Sequence, residues 1–81
     1  MASKKYPYPL VECRWVDAET TSGWEAHGEN KPTVPIVITV GFLIEDNEEL
    51  ISIASTVGDD RMHNARINIP RGMVKELKTK R

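Results

Sequence analysis

The chain has 81 residues, 40% hydrophobic and 28% charged, with 11 basic against 12 acidic side chains and a net charge of −1. That length allows one small domain, and that balance argues against binding nucleic acid by charge alone. A domain of this size buries only ~60% of its unfolded surface, and its core rarely leaves more than ~3–5 kcal/mol net. The single cysteine, Cys13, excludes an internal disulfide and any multi-cysteine zinc site. The staple that remains is a partner, and another copy of the chain is the simplest one.

No stretch reads as a membrane span or a signal peptide. The longest apolar-rich run, Val34 to Ile44, holds Pro35, Thr39 and Gly41 and falls far short of the ~20 apolar residues a spanning helix needs. With an unpaired cysteine, a reducing cytoplasm is the expected compartment.

Residues 1–9 read as a flexible N-terminal tail, with Pro7 and Pro9 favouring extended backbone. Leu10 to Ala18 alternates, placing Val11, Cys13 and Trp15 on one face and Glu12 and Arg14 on the other, which predicts a half-buried strand. Glu19 to Thr33 is a long loop rich in loop-forming residues, with Trp24 in its middle. Val34 to Ile44 is dominated by β-branched residues and predicts a strand apolar on both faces, hence central. Gly41 inside it signals a bulge or sharp bend.

Glu45 to Glu49 reads as a solvated hairpin turn whose acids form plain surface rather than a cation site. Leu50 to Val57 is the return strand and Gly58-Asp59-Asp60 a turn. Arg66 to Ile69 alternates as a fourth strand, Pro70-Arg71-Gly72 interrupts it, and Met73 to Leu77 forms a short fifth. The chain then ends in a basic tail at 79–81. The prediction is an all-β domain over residues 10–78: a small, strongly bent five-stranded barrel with a long loop after the first strand. The Ile69-Pro70-Arg71-Gly72-Met73-Val74 run matches the one-turn connection before the last strand of Sm-like and Src-homology-type barrels, a likeness of layout that carries no function.

Catalytic chemistry has little support. Cys13 lies on the inward face of a strand, where it acts as a small hydrophobe. His27 and His63 stand singly in loops, no short-range metal-ligand pair exists, and the five glycines are too scattered for a phosphate loop. We therefore expect no enzyme, no cofactor and no metal site.

Binding chemistry has more. Trp24, beside Ser22 and Gly23 in the long loop, is a candidate platform for stacking on a base, and the small neighbours let a ligand backbone or phosphate approach. Trp15 reads as core rather than platform. Arg61, Arg66 and Arg71 recur at intervals of five, and their planar guanidinium groups suit phosphate. The plainer reading of those arginines is a charged strand edge that resists aggregation.

Trp15-Val16-Asp17-Ala18, Ser22-Gly23-Trp24, Val40-Gly41-Phe42-Leu43-Ile44, Ile51 to Thr56 and Ile69-Pro70-Arg71-Gly72-Met73-Val74, taken in that order, resemble a widespread group of short proteins encoded by tailed bacteriophages and prophages. The likeness spans residues 10 to 78; a cysteine often follows the Pro-x-Gly step in that group, where this chain has Met73. Most members carry no assigned activity, so the resemblance implies origin rather than mechanism. That apparent origin, the expected oligomer and a loop tryptophan near arginines together motivate the expectation of a homo-oligomeric counter-defence protein of the host cytoplasm that sequesters a cyclic di- or trinucleotide signal, with Trp24, Ser22, Gly23, Arg61, Arg66 and Arg71 as the ligand contacts. The alternatives are an adaptor or inhibitor that binds a host defence protein, and a module for single-stranded nucleic acid.

Overall fold

The computed structural model describes residues 6–18, 24, 26–28 and 34–80. Five strands follow in chain order: β1 Leu10–Val16, β2 Ile36–Asp46, β3 Leu50–Val57, β4 His63–Pro70 and β5 Val74–Thr79. A single 3₁₀ turn, Arg71–Met73, links β4 to β5. All pairings are antiparallel, in the order β4-β3-β2-β1-β5. The expected all-β class and five strands are present. The expected barrel is not closed: β4 and β5 occupy opposite edges of one sheet and do not pair. Among the described residues no helix is long and apolar enough to cross a membrane.

Alternation decides what the sheet buries. Val11, Cys13 and Trp15 of β1, Ile51 and Ile53 of β3, and Ile69 of β4 form the core. Val37, Leu43, Met73, Val74 and Leu77 pack around them. Trp15 is therefore core, and its indole Nε1 donates to Thr39 Oγ1 at 3.0 Å, so the ring is buried with its polar atom satisfied. Ser52 is also buried; its hydroxyl donates to Asn68 Oδ1 at 2.7 Å on the neighbouring strand.

β2 departs from its expected burial. It lies in the middle of the strand order, yet Ile36, Ile38 and Val40 are 52%, 52% and 55% exposed. The reason is in the pairing. Residues Ile36 to Phe42 pair with β1, but pairing with β3 begins only at Phe42. Among the described residues, the first half of β2 thus has a strand beside it on one side only, and the face carrying Ile36, Ile38 and Val40 is left half exposed.

Gly41 sits where β2 closes onto β3. A side chain there would place its Cβ 2.6 Å from the Ala54 carbonyl oxygen and 2.7 Å from Ile53 Cγ2. Only glycine permits that approach. The irregularity expected near this glycine occurs slightly later, as a register shift between Leu43 and Glu45. A second shift, between Arg14 and Trp15, bends β1 against β5.

The chain before β1 is docked where it is described, whereas a flexible tail was expected over residues 1–9. The Tyr6 ring meets Phe42 edge-on at 5.3 Å, and the Pro9 carbonyl accepts from Leu43 N–H at 2.8 Å. At the other terminus, Lys80 N–H donates to the Leu10 carbonyl and its ammonium lies 3.4 Å from Glu12 Oε1, so pairing with β1 continues into the expected basic tail.

The Gly41 contact yields a direct expectation. Gly41→Ala forces the β2 and β3 backbones apart and is expected to cost about 1–3 kcal/mol, the usual range for overpacking. Urea denaturation followed by tryptophan fluorescence measures it. An unchanged midpoint would show that the two strands separate without cost.

Candidate functional site

The residues proposed from sequence as ligand contacts fall into three groups. Ser22 and Gly23 lie outside the described residues. Trp24 is described and is fully exposed. The three arginines are spread from the β3–β4 turn along β4 to the 3₁₀ turn that follows it, and the fold does not gather them.

Arg61 belongs to the β3–β4 turn. There Arg61 N–H donates to the Gly58 carbonyl at 3.0 Å, and Gly58 N–H donates to the Met62 carbonyl at 2.8 Å. The turn places Arg61 at φ 72°, in the left-handed region. Its guanidinium lies 4.6 Å from the Tyr8 ring centroid and donates through Nη1 to the Pro7 carbonyl at 3.0 Å. The Tyr8 hydroxyl returns a bond to the Arg61 carbonyl at 2.9 Å. His63 closes the group, edge-on to Tyr8 at 6.3 Å. Together these contacts fasten the segment before β1 to the turn, a cation–π arrangement reinforced by hydrogen bonds.

Arg71 sits at the far end of β4, in the 3₁₀ turn. Its Nη2 bonds the Asp46 carboxylate. Nε and Nη2 both donate to the Asn47 carbonyl, at 3.2 and 2.9 Å, and the Arg71 amide donates to the Glu49 carbonyl at 2.9 Å. Asn47 Oδ1 in turn accepts from the amides of Glu49 and Leu50. The acidic β2–β3 turn is therefore a capped hairpin loop clasped by Arg71. Arg66, paired with Ala54, is exposed on β4 between the two ends and makes no ion pair among the described residues. At ~3.3 Å per residue, the eight residues of β4 hold Arg61 and Arg71 roughly 25 Å apart.

Cys13 is fully buried on β1. Burial pushes its thiol up, and the positive charge of Arg71 pulls the other way by less. A protonated, enclosed thiol is a poor nucleophile. Among the described residues, no three His, Cys, Asp or Glu side chains converge as metal ligands would.

Sequence reasoning missed the largest feature. Val34, Ile36, Ile38 and Val40 are all more than half exposed and follow one another at every second residue. They form a continuous apolar strip along the first half of β2. On the same sheet face, the cross-strand partners of Ile36, Ile38 and Val40 are Val16, Arg14 and Glu12. The strip is thus flanked on its β1 side by Val16 and two charged residues, and among the described residues no strand pairs with its other side before Phe42. Isolated exposed aliphatics are ordinary, but a contiguous row marks an interaction surface.

No protein-family model, curated protein or solved structure matches this chain.

The raised Cys13 pKa has a consequence for stability. The unfolded thiol loses its proton first as pH rises, so the folded state holds more protons through that window. Its contribution is complete below the ordinary thiol value and is lost as pH climbs above it, with a slope of at most about 1.4 kcal/mol per pH unit. Urea unfolding across alkaline pH is expected to show this loss in the native chain. Cys13→Ala, apart from a constant offset, should show a shallower one; parallel curves would place the thiol in a solvated setting.

Proposed function

We propose that this chain is a non-enzymatic binding protein that works as a homo-oligomer, with its copies joined through the first half of β2. The observation that carries the reading is the apolar row Val34, Ile36, Ile38 and Val40, exposed on a strand whose outer side is unpaired among the described residues. Fully burying one such side chain contributes about 1.5–3 kcal/mol. Each is already half covered, so several must be buried together to offset the entropy of association. The small core supports the same reading, because a chain this short buries only a modest share of its surface by itself and gains from an added interface.

A second reading concerns what the oligomer holds, and the full exposure of Trp24 favours it. An indole presented to solvent is suited to stack on a nucleobase. In this reading Trp24, with Ser22 and Gly23, takes the base of a cyclic di- or trinucleotide, and Arg66 supplies the cation. Arg61 and Arg71 are engaged within the fold and serve it less well. The counter-defence setting rests on the resemblance to phage-encoded chains. Inhibition of a host protein through the same β2 strip is the competing use of that surface.

Light scattering on the purified chain tests the first reading. A mass that is a multiple of 9.2 kDa at micromolar concentration is expected. A single-chain mass at all accessible concentrations would overturn it. Titration calorimetry with cyclic di- and trinucleotides tests the second: Trp24→Ala is expected to lose binding by the 1–3 kcal/mol that stacking contributes, and an absence of heat with every nucleotide would sink it.

A further inference from the structure

The free side of β2 fixes how two copies would meet. Backbone groups along a strand point alternately to its two neighbours. In β2 the Pro35 carbonyl accepts from Asp17 N–H at 3.1 Å, and Leu43 N–H donates to the Pro9 carbonyl at 2.8 Å, both on the β1 side. The β1 register runs without a shift from Leu10↔Phe42 to Val16↔Ile36. Odd-numbered residues of this stretch therefore bond toward β1, and Ile36, Ile38 and Val40 direct their N–H and C=O groups to the other side. That side has no strand beside it among the described residues until Phe42 meets Ala54. Pro35, which lacks an N–H, is odd-numbered, so it removes no donor from the open edge.

The open stretch is thus three outward-bonding residues with Ile38 at the centre. It carries no charge: nothing from Val34 to Ile44 is ionisable. The two outer edges of the sheet differ. β4 presents Arg66, ends in Pro70 and is kinked at Ala65, whose φ is 57°. β5 carries Lys75, Glu76 and Lys78 within its six residues. Charge, proline and irregularity are the features that keep edges from pairing, and the first half of β2 has none of them from Ile36 to Val40.

An uncharged partner is what this edge selects, and a second copy supplies one with the same three outward-bonding residues. We infer that two copies pair β2 against β2 in antiparallel fashion about a two-fold axis at Ile38. Ile38 then faces Ile38 of the other copy, and Ile36 faces Val40. Each pair exchanges two backbone hydrogen bonds, and all the open groups from Ile36 to Val40 are used. The apolar strips of the two copies merge side by side, and Glu12 and Arg14 remain one strand away from the seam. Such a contact is self-complementary and closes at two copies. This pairing rests on the oligomer reading above and specifies its interface.

The test uses charge reversal and cross-linking on the full chain. Ile38→Lys and Ile38→Glu each place like charges opposite one another. Each alone is expected to weaken self-association by about tenfold or more in sedimentation velocity, and an equimolar mixture of the two should restore the dimer mass. Met62→Lys, on a more exposed apolar residue in the β3–β4 turn, should leave the mass unchanged. Under mild oxidation Ile38→Cys is expected to form a covalent dimer, because hydrogen-bonded antiparallel partners lie about 5.5 Å apart at Cα, within disulfide reach. Ile36→Cys and Val40→Cys should cross-link when mixed and not singly. Buried Cys13 gives the native chain as the uncross-linked baseline. A native chain that is oligomeric, yet is neither disturbed by the Ile38 charges nor cross-linked at Ile38, would overturn this pairing and leave the oligomer intact. A monomeric native chain would overturn both.

Discussion

The architecture depends on β2 serving two neighbours in succession. Its first half is paired to β1, and its second half is also held by β3, with Phe42 the first residue bridged to both. The backbones of β2 and β3 can converge at this point only because Gly41 has no side chain to meet the Ala54 carbonyl. From this one crossing follow the shared core of β1, β3 and β4 residues on one face, and the uncovered start of β2. A sheet in which β3 ran alongside β2 for its full length would have no such open stretch.

The crossing also sets the division of labour among the polar groups. The β2–β3 and β3–β4 hairpin ends each involve an arginine that links segments distant in sequence. Arg71 holds the β2–β3 loop from the β4–β5 connection, and Arg61 holds the segment before β1 from the β3–β4 turn. Both contacts are exposed, and exposed ion pairs contribute little individually. Their value is positional: backbone carbonyls at Pro7 and Asn47 gain donors, and segments distant in sequence are tied to the sheet. This is why two of three arginines with the chemistry for phosphate are poor candidates for holding it.

Much of the fold is legible in the residues. Alternation at Val11, Cys13 and Trp15 identifies the buried face of β1 because strand side chains repeat every second position, whereas β3 is buried on both faces from Ile51 to Ala54. Gly41 and the Pro70-Arg71-Gly72 step mark the close approach and the 3₁₀ turn. The site was less legible, for two separate reasons. Regular spacing of Arg61, Arg66 and Arg71 suggests a cluster, but along extended chain a five-residue step reverses the face and advances about 16 Å. The β2 strip was hidden by its own composition. Val34 to Ile44 is apolar at almost every position, which reads as a strand covered on both faces. Whether a face is covered depends on what packs over it, and the apolar composition of β2 does not encode that.

An open uncharged edge alters what stability means for a chain this small. Anything that binds the folded form and not the unfolded one adds RT ln(1 + [L]/Kd) to stability, and here the ligand is the protein itself. The folded state is then coupled to its own concentration, and the exposed row Ile36, Ile38 and Val40 is where that coupling enters. The same row carries the opposite hazard. Unpaired β-branched strands without charge also template indefinite association. What separates a closed pair from a growing ribbon is the short length of the open stretch. It ends at Phe42, where β3 takes over, and the remaining edges carry charge, a proline and a left-handed residue. Closure at two copies is therefore a property of the whole sheet, set by how far β3 extends along β2.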